Sequence, residues 1–496
     1  MAVGTGLESG RGSNLTARWE AVIGLEVHAQ LLTQSKMFCG CRAQYLGMAP
    51  NSNTCPVCLG LPGTLPVMNR AAVEMTIRTA LALDCEIPEF TKFDRKNYFY
   101  PDLPKGYQIS QYDLPLSRAG RLEFEVGSRL VNAGITRVHL EEDAGTLHHA
   151  AEIHTSAFSL VDLNRAGVPL MEIVGEPDLR HPDEAPAYLA ALRQTLMYLG
   201  VNDGNMEEGS LRCDANISLR REGDPGLGAK VEVKNMNSFR SIQRALEFEF
   251  ERQAALLEQG LTVSQETRGW SDQEQVTVSQ RSKEEAQEYR YFPEPDLPPL
   301  VVARDYVEGI RATLPELPLA KRRRLRERYS LGEEQARVIA ETQDDAAYFE
   351  AVVAAGAEPH AAANWQVQNL QALCNAAKIR VADCRIAPAA LAGLVRLVEQ
   401  DQVSGAVAKE VLGECFLSGE EPAQVISSRG LVQVSDQDQL RELVEQALAA
   451  NARAASDYQA GNDKALNALV GSVMAASRGK ANSKLVSQLL RDRLPR

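Results

Sequence analysis

The pattern of apolar and polar positions divides the chain into a strand-rich first part and a helix-rich second part. Up to about residue 300, short segments alternate between apolar and polar residues, as half-buried strands do. Longer segments with a helical period interrupt them. This mixture, without regular βαβ alternation, predicts an α+β fold with a largely antiparallel sheet. The predicted strands are Val22–Leu31, Arg121–Val126, Ile135–Glu142, Ser159–Asn164, Leu211–Arg220 and Lys230–Lys234, and the predicted helices are Asn69–Leu83, Pro182–Leu199 and Ser238–Glu258.

Beyond a proline-rich segment at 292–299, the chain carries almost only helical patterns, rich in Ala, Leu, Glu and Arg. Short breaks that contain proline divide these patterns at 314–318, 387–388 and 418–422. The first residues are instead rich in Gly, Ser and Thr. We therefore predict a disordered extension at 1–18, a sheet-containing domain at 19–305, an all-α helical domain at 306–425 and a small helical tail domain at 426–496.

Composition and charge narrow the class of protein. The chain has 496 residues, of which 44% are hydrophobic and 24% are charged, as in an ordinary globular protein. No apolar run approaches the roughly 18 residues that cross a membrane, and the first residues lack the apolar core of a secretory signal. The net charge of −13 argues against binding nucleic acid by overall charge. We expect a cytoplasmic protein with neither a membrane nor DNA as a partner.

Four of the nine cysteines are concentrated within twenty residues, with the spacing C-x-C-x13-C-P-x-C. Two close cysteine pairs are typical of a tetrahedral thiolate zinc site, and an odd total fits a reducing compartment better than a disulfide framework. Buried free thiols are the alternative, which so dense a cluster disfavours. The predicted zinc ligands are Cys39, Cys41, Cys55 and Cys58.

The polar faces of several predicted strands carry acids and histidines. Glu26 and His28 share a face of the first strand, His139 and Glu141 share a face of a later one, and Glu172 lies within another apolar run. Carboxylates and imidazoles are ligands for divalent cations. An ordinary solvated sheet face shows the same alternation, so spacing alone leaves both interpretations open. Other residues on polar faces are Arg137, Arg212, Asp214, Asn216, Glu232 and Lys234.

A segment rich in aromatic residues, Asn and Lys spans 94–108. Its prolines interrupt strand pairing, so we do not expect a strand of the central sheet here. Basic side chains beside aromatic rings, as at Arg95 and Lys96, suit a phosphate or nucleotide, although an ordinary surface loop is the alternative. The sequence contains neither a P-loop nor the glycine-rich dinucleotide motif, which disfavours the common nucleotide-binding folds.

Eight longer segments are distinctive when taken together. They are Gly24–His28, Asn51–Pro66, Asp94–Lys105, His139–Gly145, Val161–Glu176, Leu211–Ser218, Val231–Phe239 and Tyr289–Pro299. These segments resemble the B subunit of the bacterial glutamyl-/aspartyl-tRNA amidotransferase, from about Trp19 to the C-terminus.

This resemblance implies a reaction. The family's enzyme converts Glu-tRNA(Gln) to Gln-tRNA(Gln) and Asp-tRNA(Asn) to Asn-tRNA(Asn). Its B subunit uses ATP and Mg²⁺ to phosphorylate the side-chain carboxylate of the tRNA-bound amino acid. Ammonia from glutamine, released on a partner A subunit, then displaces the phosphate, and a C subunit completes the heterotrimer. The implied fold of the catalytic domain is similar to those of glutamine synthetase and the guanidino kinases.

The resemblance also implies roles for individual residues. Glu142 and Asp143 are expected to orient the site, and Lys234 fits either a substrate contact or a structural ion pair. The implied catalytic residues and magnesium ligands are Glu26, His28, Glu141 and Glu172, and the implied ATP or substrate contacts are Arg95, Lys96, Asp214, Asn216, Glu232 and Lys234.

The C-terminal residues reverse the acidic character of the chain. From residue 478 onward, six basic residues face a single acid. Such a reversal indicates phosphate contact, and the resemblance assigns residues 461–482 to a small tRNA-binding tail domain. Another basic run, at 321–328, is typical of a solvated helix face. The predicted tRNA contacts are Arg478, Lys480, Lys484 and Arg491.

Two other functions remain as alternatives. One is an ATP-dependent kinase or ligase for a free small carboxylate or amine, against which the basic tail argues. The other is a non-catalytic tRNA-binding scaffold with a structural zinc. The set of acids and histidine on the strand faces argues against that scaffold.

Overall fold

A computed structural model describes residues 19–149, 158–282, 289–431, 437–477 and 481–495 of the chain. The predicted extension at 1–18 and two predicted tRNA contacts, Arg478 and Lys480, lie outside these residues. The chain divides into two compact units, Met1–Leu319 and Ala320–Arg496. The finer domain boundaries remain predictions.

Among the residues that the structure describes, the strands all belong to the first unit. They are β1 (Trp19–Gln30), β2 (Phe90–Thr91), β3 (Asp94–Asn97), β4 (Tyr107–Ser110), β5 (Ser117–Val126), β6 (Arg129–Glu142), β7 (Thr146–His149), β8 (Ser159–Asp162), β9 (Pro169–Gly175), β10 (Leu211–Arg221), β11 (Val231–Lys234), β12 (Glu266–Ser271), β13 (Val276–Ser282), β14 (Phe292–Pro293) and β15 (Leu300–Val301). Within the described residues, eight of them form the main sheet, in the order β13–β12–β11–β10–β1–β9–β6–β5. Six of its seven neighbouring pairs are antiparallel, which confirms the predicted type of sheet; β11 and β12 are parallel.

All six predicted strands are present. Three strands of the main sheet, β9, β12 and β13, and the short strands outside it other than β8 were not predicted. β9 is a short apolar run that contains one acid, and β12 and β13 lie at an edge of the sheet where polar residues are common. The segment 94–108 contributes β3 and β4, which pair with β14 in a separate three-stranded sheet. As predicted, this segment adds no strand to the central sheet.

Helices cover one face of the main sheet. They are α1 (Arg70–Ala82), α2 (Glu184–Tyr198) and α3 (Phe239–Glu258). After the last strand, α4 (Arg304–Arg311) packs against α1. The first three are the predicted helices. Side-chain caps fix two of their starts, since Asn69 accepts from the backbone N–H groups of the first turn of α1 and Ser238 does the same for α3.

The two faces of the sheet differ as the alternation predicts. In β1, Leu25 and Val27 are buried in the core together with residues of α2 and α3, such as Leu192 and Leu246. This apolar packing stabilises the sheet. The opposite face carries the polar residues of β1, β6, β9, β10 and β11, and it is therefore the face on which a site can form.

The second unit is helical. Its helices are α5 (Pro318–Tyr329), α6 (Glu333–Ile339), α7 (Gln343–Ala354), α8 (Pro359–Trp365), α9 (Gln371–Ala377), α10 (Pro388–Glu399), α11 (Gly405–Ser418), α12 (Pro422–Ser428), α13 (Gln437–Ala450), α14 (Ala452–Gln459), α15 (Asp463–Ala476) and α16 (Ser483–Arg493). It contains two hydrophobic cores. Buried residues from Leu325 to Ile426 form one, and buried residues from Leu440 to Leu494 form the other. No helix in the described ranges of the chain combines the length and apolar character of a bilayer crossing.

Candidate active site and metal centres

Four polar residues form a row across the middle of the main sheet. Glu172 of β9 lies opposite His28 of β1 on one side and opposite His139 of β6 on the other. His28 lies in turn opposite Arg212 of β10. Directly opposed residues of antiparallel strands project from the same face with their Cβ atoms about 5 Å apart. The strand register therefore places all four side chains in one line, which we call the polar row.

Two members of the polar row and the adjacent Glu141 approach one another closely enough to share a cation. The Nε2 atom of His28 lies 3.6 Å from a carboxylate oxygen of Glu172 and 3.8 Å from one of Glu141. His139 Nε2 lies 3.3 Å from the same oxygen of Glu172. Ligand atoms of the trio His28, Glu141 and Glu172 all lie within 4.8 Å of one another. Two carboxylates and one imidazole fit a divalent cation such as magnesium or manganese.

The pKa shifts of His28 and Glu172 indicate an excess of negative charge around the trio. Burial by itself would lower the pKa of His28, but a hydrogen bond to Glu172 and the charges of Glu172 and Glu141 raise that pKa to about 9. Burial would likewise raise the pKa of Glu172, yet His139 and His28 hold it well below its ordinary value. Positive charge is therefore strongly favoured here, as at a cation site.

Glu26 lies on the same face of β1, two residues before His28. It is opposite Asp214 of β10 and accepts a hydrogen bond of 2.8 Å from Asn216. The structure thus brings together three of the four predicted magnesium ligands and places Glu26 in a neighbouring polar cluster. A ligand role for Glu26 remains a prediction.

Of the predicted ATP or substrate contacts, Lys96 faces the trio directly. Burial lowers its pKa, but the negative charges of Glu141 and Glu172 outweigh burial and raise it. Its Nζ atom lies 4.9 Å from the ring centre of Tyr289, so an aromatic face supports the ammonium group. Lys96 thus holds a positive charge beside the carboxylates.

Other members of that predicted set are engaged in ion pairs. Arg95 donates two hydrogen bonds of 2.8 Å to Glu294. Lys234 donates one of 2.6 Å to Asp214 and lies 3.1 Å from Glu232. A structural ion pair was the alternative role for Lys234. Arg95 is held in an ion pair as well.

A cleft of about 340 Å³ lies beside the polar row. Its lining includes His28, Lys96, Glu141, Arg165 and Arg212. A larger cavity of about 450 Å³ elsewhere in the first unit contains none of the predicted site residues in its lining. The chemistry of the lining therefore makes the cleft beside the polar row the candidate active site.

The four clustered cysteines converge as predicted. The Sγ atoms of Cys39, Cys41, Cys55 and Cys58 lie within 4.8 Å of one another. A hydrogen bond from Cys39 and, against the effect of burial, the backbone of Cys55 and the charge of Lys36 lower the pKa of Cys58 to about 4. The hydrogen bond to Cys58 raises the pKa of Cys39, and burial raises the pKa of Cys41 to about 11, so the thiolate charge is concentrated on Cys58. The convergence of four sulfurs fits a tetrahedral zinc ion.

A buried lysine connects this cysteine cluster to the loop that leads into β9. Lys36 is 1% exposed, and its Nζ atom lies 3.8 Å from Cys58 Sγ. It also donates hydrogen bonds to the backbone carbonyls of Asn53, at 3.0 Å, and Leu163, at 3.5 Å. A buried ammonium group requires a counter-charge, which the cysteine cluster supplies when its sulfurs are thiolates. This contact supports an anionic, metal-binding form of the cluster.

Comparison with known proteins decides the family. Residues 21–308 match the GatB/GatE catalytic domain, and residues 347–494 match the GatB domain. The chain is 51% identical to the B subunit of the aspartyl/glutamyl-tRNA(Asn/Gln) amidotransferase of Carboxydothermus hydrogenoformans, with 96% of this chain and 99% of the relative covered. It is 52% identical to the protein of the same name in Moorella thermoacetica, with 96% and 100% covered. The chain belongs to this family. The family that its motifs predict is therefore confirmed.

Two of the predicted tRNA contacts fall in the described part of the GatB domain. Both lie on α16. The side chain of Lys484 is 83% exposed, with its Nζ atom 3.6 Å from Asp401, and Arg491 is also exposed. Both side chains are accessible to a partner, and their tRNA contacts remain predictions.

The sequence pattern gave no role to Arg212 or Arg165, although both line the cleft. In the sequence, Arg212 is recognisable only as one of the alternating polar residues of a predicted strand. Its proximity to His28 depends on the register between β10 and β1, which a local pattern does not contain. The position of His139 beside Glu172 depends on register in the same way.

Proposed function

We propose that this chain is the activating subunit of a tRNA-dependent amidotransferase. It phosphorylates the side-chain carboxylate of Glu-tRNA(Gln), Asp-tRNA(Asn) or both with ATP, and it then directs ammonia to the activated carbonyl. The observation that supports this proposal most strongly is the trio of His28, Glu141 and Glu172 beside the half-buried cation Lys96 in one cleft. Phosphoryl transfer depends mainly on such positioning and charge stabilisation.

The reaction has two steps because a carboxylate resists direct amidation. Its charge repels nucleophiles, and oxide is a poor leaving group. One carboxylate oxygen attacks the γ-phosphorus of ATP, so that a new O–P bond forms and the bond from the γ-phosphorus to the bridging oxygen breaks, leaving its electron pair on ADP. Ammonia then attacks the acyl carbon, phosphate departs with the electron pair of the C–O bond, and the nitrogen loses a proton. The products are the amide, ADP and phosphate.

Magnesium would be held by His28, Glu141 and Glu172, with Glu26 nearby. When bound, the ion would neutralise charge on the transferring phosphoryl group. The chain's own residues prepare this site: His139 orients Glu172, and Ser110 donates a hydrogen bond of 3.3 Å to Glu141. Such outer contacts fix the direction in which a ligand presents its lone pairs.

The remaining parts of the enzyme follow from the family. We assign glutamine hydrolysis to an A subunit, because this sequence carries no Gly/Ser-rich amidase signature, and we expect a C subunit to complete a cytoplasmic heterotrimer. We propose for residues 19–305 a fold similar to those of glutamine synthetase and the guanidino kinases. The cysteine cluster would hold a structural zinc ion.

The test of this function uses the chain assembled with its A and C partners. The complex is incubated with Glu-tRNA(Gln), [γ-³²P]ATP and Mg²⁺ without glutamine. Phosphate release that requires the charged tRNA and is lost in Glu172→Ala is the expected result. Turnover with free glutamate alone would favour a small-molecule ligase. Tight tRNA binding without turnover would favour a scaffold.

The proposed role of the tail has its own test. Removal of residues 426–496 is expected to raise KM for the charged tRNA by about tenfold or more, because phosphate contacts contribute much of tRNA affinity. ATP binding should be unchanged. The double variant Lys484→Glu/Arg491→Glu tests the same contacts in a protein that keeps the tail. An unchanged KM in both variants would contradict the assignment.

A further inference from the structure

We propose that Arg212 contacts the transferring phosphoryl group directly, held in place by Asp143. This inference rests on the proposed function, because it assigns a phosphate-binding group within the same cleft. Three observations lead to it: the position of Arg212 in the polar row, the way its guanidinium is anchored, and the engagement of the other nearby cations.

Arg212 lies at one end of the polar row, where His28 separates it from Glu172. It is directly opposite His28, whose other neighbour in the row is Glu172. The side chain of Arg212 is 37% exposed and lines the cleft. A phosphoryl group next to a cation bound by the trio would therefore lie within reach of the guanidinium.

The carboxylate of Asp143 holds the guanidinium of Arg212 in place. The carboxylate of Asp143 is buried, and it accepts hydrogen bonds from Arg212 Nη2 at 3.1 Å and from Gln30 at 2.8 Å. The backbone of Asp143 is held as well, because Gly167 N–H donates to its carbonyl at 2.9 Å. A guanidinium has five N–H donors, so one hydrogen bond to Asp143 leaves others for a ligand.

The other cations around the cleft have different engagements. Arg165 donates to the backbone carbonyls of Ala144 and Gly145 and lies 3.9 Å from the same oxygen of Asp143 that Arg212 contacts, so it holds the loop that carries Asp143. Lys96 lies among the carboxylates of the trio and the ring of Tyr289. Arg212 is thus the more exposed of the two arginines that line the cleft, at 37% against 21% for Arg165, and its hydrogen bond goes to a carboxylate and not to the backbone of the loop.

The chemistry of the ligand matches this geometry. A transferring phosphoryl group spreads negative charge over three oxygens, and the planar guanidinium can donate to two of them at once. An anchor of fixed geometry strengthens that stabilisation, since little reorganisation is needed during the reaction. Arg212 is therefore expected to act on the transition state more than on ground-state binding.

The experiment measures ATP cleavage by the assembled heterotrimer with Glu-tRNA(Gln), in variants of Arg212. We expect Arg212→Gln to lower kcat by about 100-fold, with KM for the charged tRNA and the glutaminase rate of the A subunit within twofold of wild type. Arg212→Lys should recover part of the loss, because it keeps the charge without the forked donors. The glutaminase rate shows that the complex has assembled.

Arg220→Gln is the matched control. Arg220 lies on the same strand and the same face, about 27 Å along the strand, and it donates to Glu20 at 2.6 Å. We expect this variant to cleave ATP at the wild-type rate. A comparable loss in Arg220→Gln would mean that any charge removed from this strand impairs the enzyme, which would overturn the assignment.

Asp143→Asn tests the anchor. Asp143 acts through Arg212 and is a positioning residue, so we expect a loss of about tenfold by itself and almost no further loss in combination with Arg212→Gln. Fully multiplicative losses would contradict this coupling.

The outcomes separate this inference from the proposed function. If Glu172→Ala abolishes ATP cleavage but Arg212→Gln stays within threefold of wild type, the role of Arg212 is refuted while the function stands. If the wild-type complex shows no tRNA-dependent cleavage, the proposed function fails. If Arg212→Gln melts at a lower temperature, Arg212→Lys decides: a kcat within twofold of wild type overturns the two-point contact.

Discussion

The polar row and the cysteine cluster both contain side chains of metal-ligating types, but the chain brings these side chains together in different ways. The cluster takes its four sulfurs from the twenty residues Cys39–Cys58. The row takes its members from four strands, between His28 and Arg212. A shift of one residue in any strand would turn its side chain to the apolar face. The row therefore depends on the register of four neighbouring strands of the sheet, whereas the cluster depends on one loop.

The two regions also differ in the number and kind of their metal-ligating groups. The cysteine cluster offers four sulfurs beside the buried ammonium group of Lys36, whereas the trio offers two carboxylates and one imidazole at a cleft and leaves coordination positions open. We therefore expect a tightly held, structural zinc in the first and an exchangeable, reactive cation in the second. Four experiments examine this comparison.

The largest effect is expected from Glu172→Gln. The substitution removes a charge at the centre of the row while keeping the shape of the side chain, so ATP cleavage should fall by about 10³-fold with the melting temperature nearly unchanged. Glu176→Gln is the control, since Glu176 lies just beyond β9 and accepts a hydrogen bond from Thr136. Equal losses in both variants would show that the central position has no special role.

Cys55→Ser should act mainly on stability. Loss of one thiolate is expected to release the zinc and to lower Tm by about 5–10 °C, since a structural zinc contributes folding free energy. Zinc content and thermal unfolding measure this directly. Cys384→Ser, a half-buried cysteine outside the cluster, should retain the zinc. Full activity and unchanged melting in a zinc-free Cys55→Ser protein would exclude a structural role.

Lys36→Met examines the connection between the two regions. The variant keeps the length of the side chain but removes the charge beside Cys58, so we expect zinc affinity to fall by about tenfold. The loop at Leu163 also loses a hydrogen bond, and a small decrease in ATP cleavage should follow. Competition with a chelator measures the affinity. An affinity equal to that of wild type would show that the ammonium group does not balance thiolate charge.

The smallest effect concerns the choice of metal in the row. Dialysis against EDTA should remove the cation that supports ATP cleavage while leaving one zinc per chain. Because His28 offers a nitrogen ligand, activity restored by Mn²⁺ should be within about threefold of that restored by Mg²⁺. If EDTA removed both metals together and both rebound equally readily, the distinction between an exchangeable and a structural site would be wrong.

Much of the fold was predictable because its signals are local. Alternation in β1 and β10 marked the two faces of the sheet, and the capping residues Asn69 and Ser238 lie where the helical periods begin. β9 was not predicted, although it carries Glu172 and is central to the row. Its seven residues are almost continuously apolar, so no alternation distinguished it from other buried segments.

The sequence by itself determined which side chains the strands present and which cysteines form a cluster, since both depend on spacing within a few residues. Its motifs also indicated the family. Only the tertiary structure decided that Glu172 lies between two histidines, that Arg95 is held by Glu294, and that Arg212 reaches the cleft. These facts depend on strand register and on contacts between distant segments. The hydrophobic core fixes such contacts, and no local pattern encodes them.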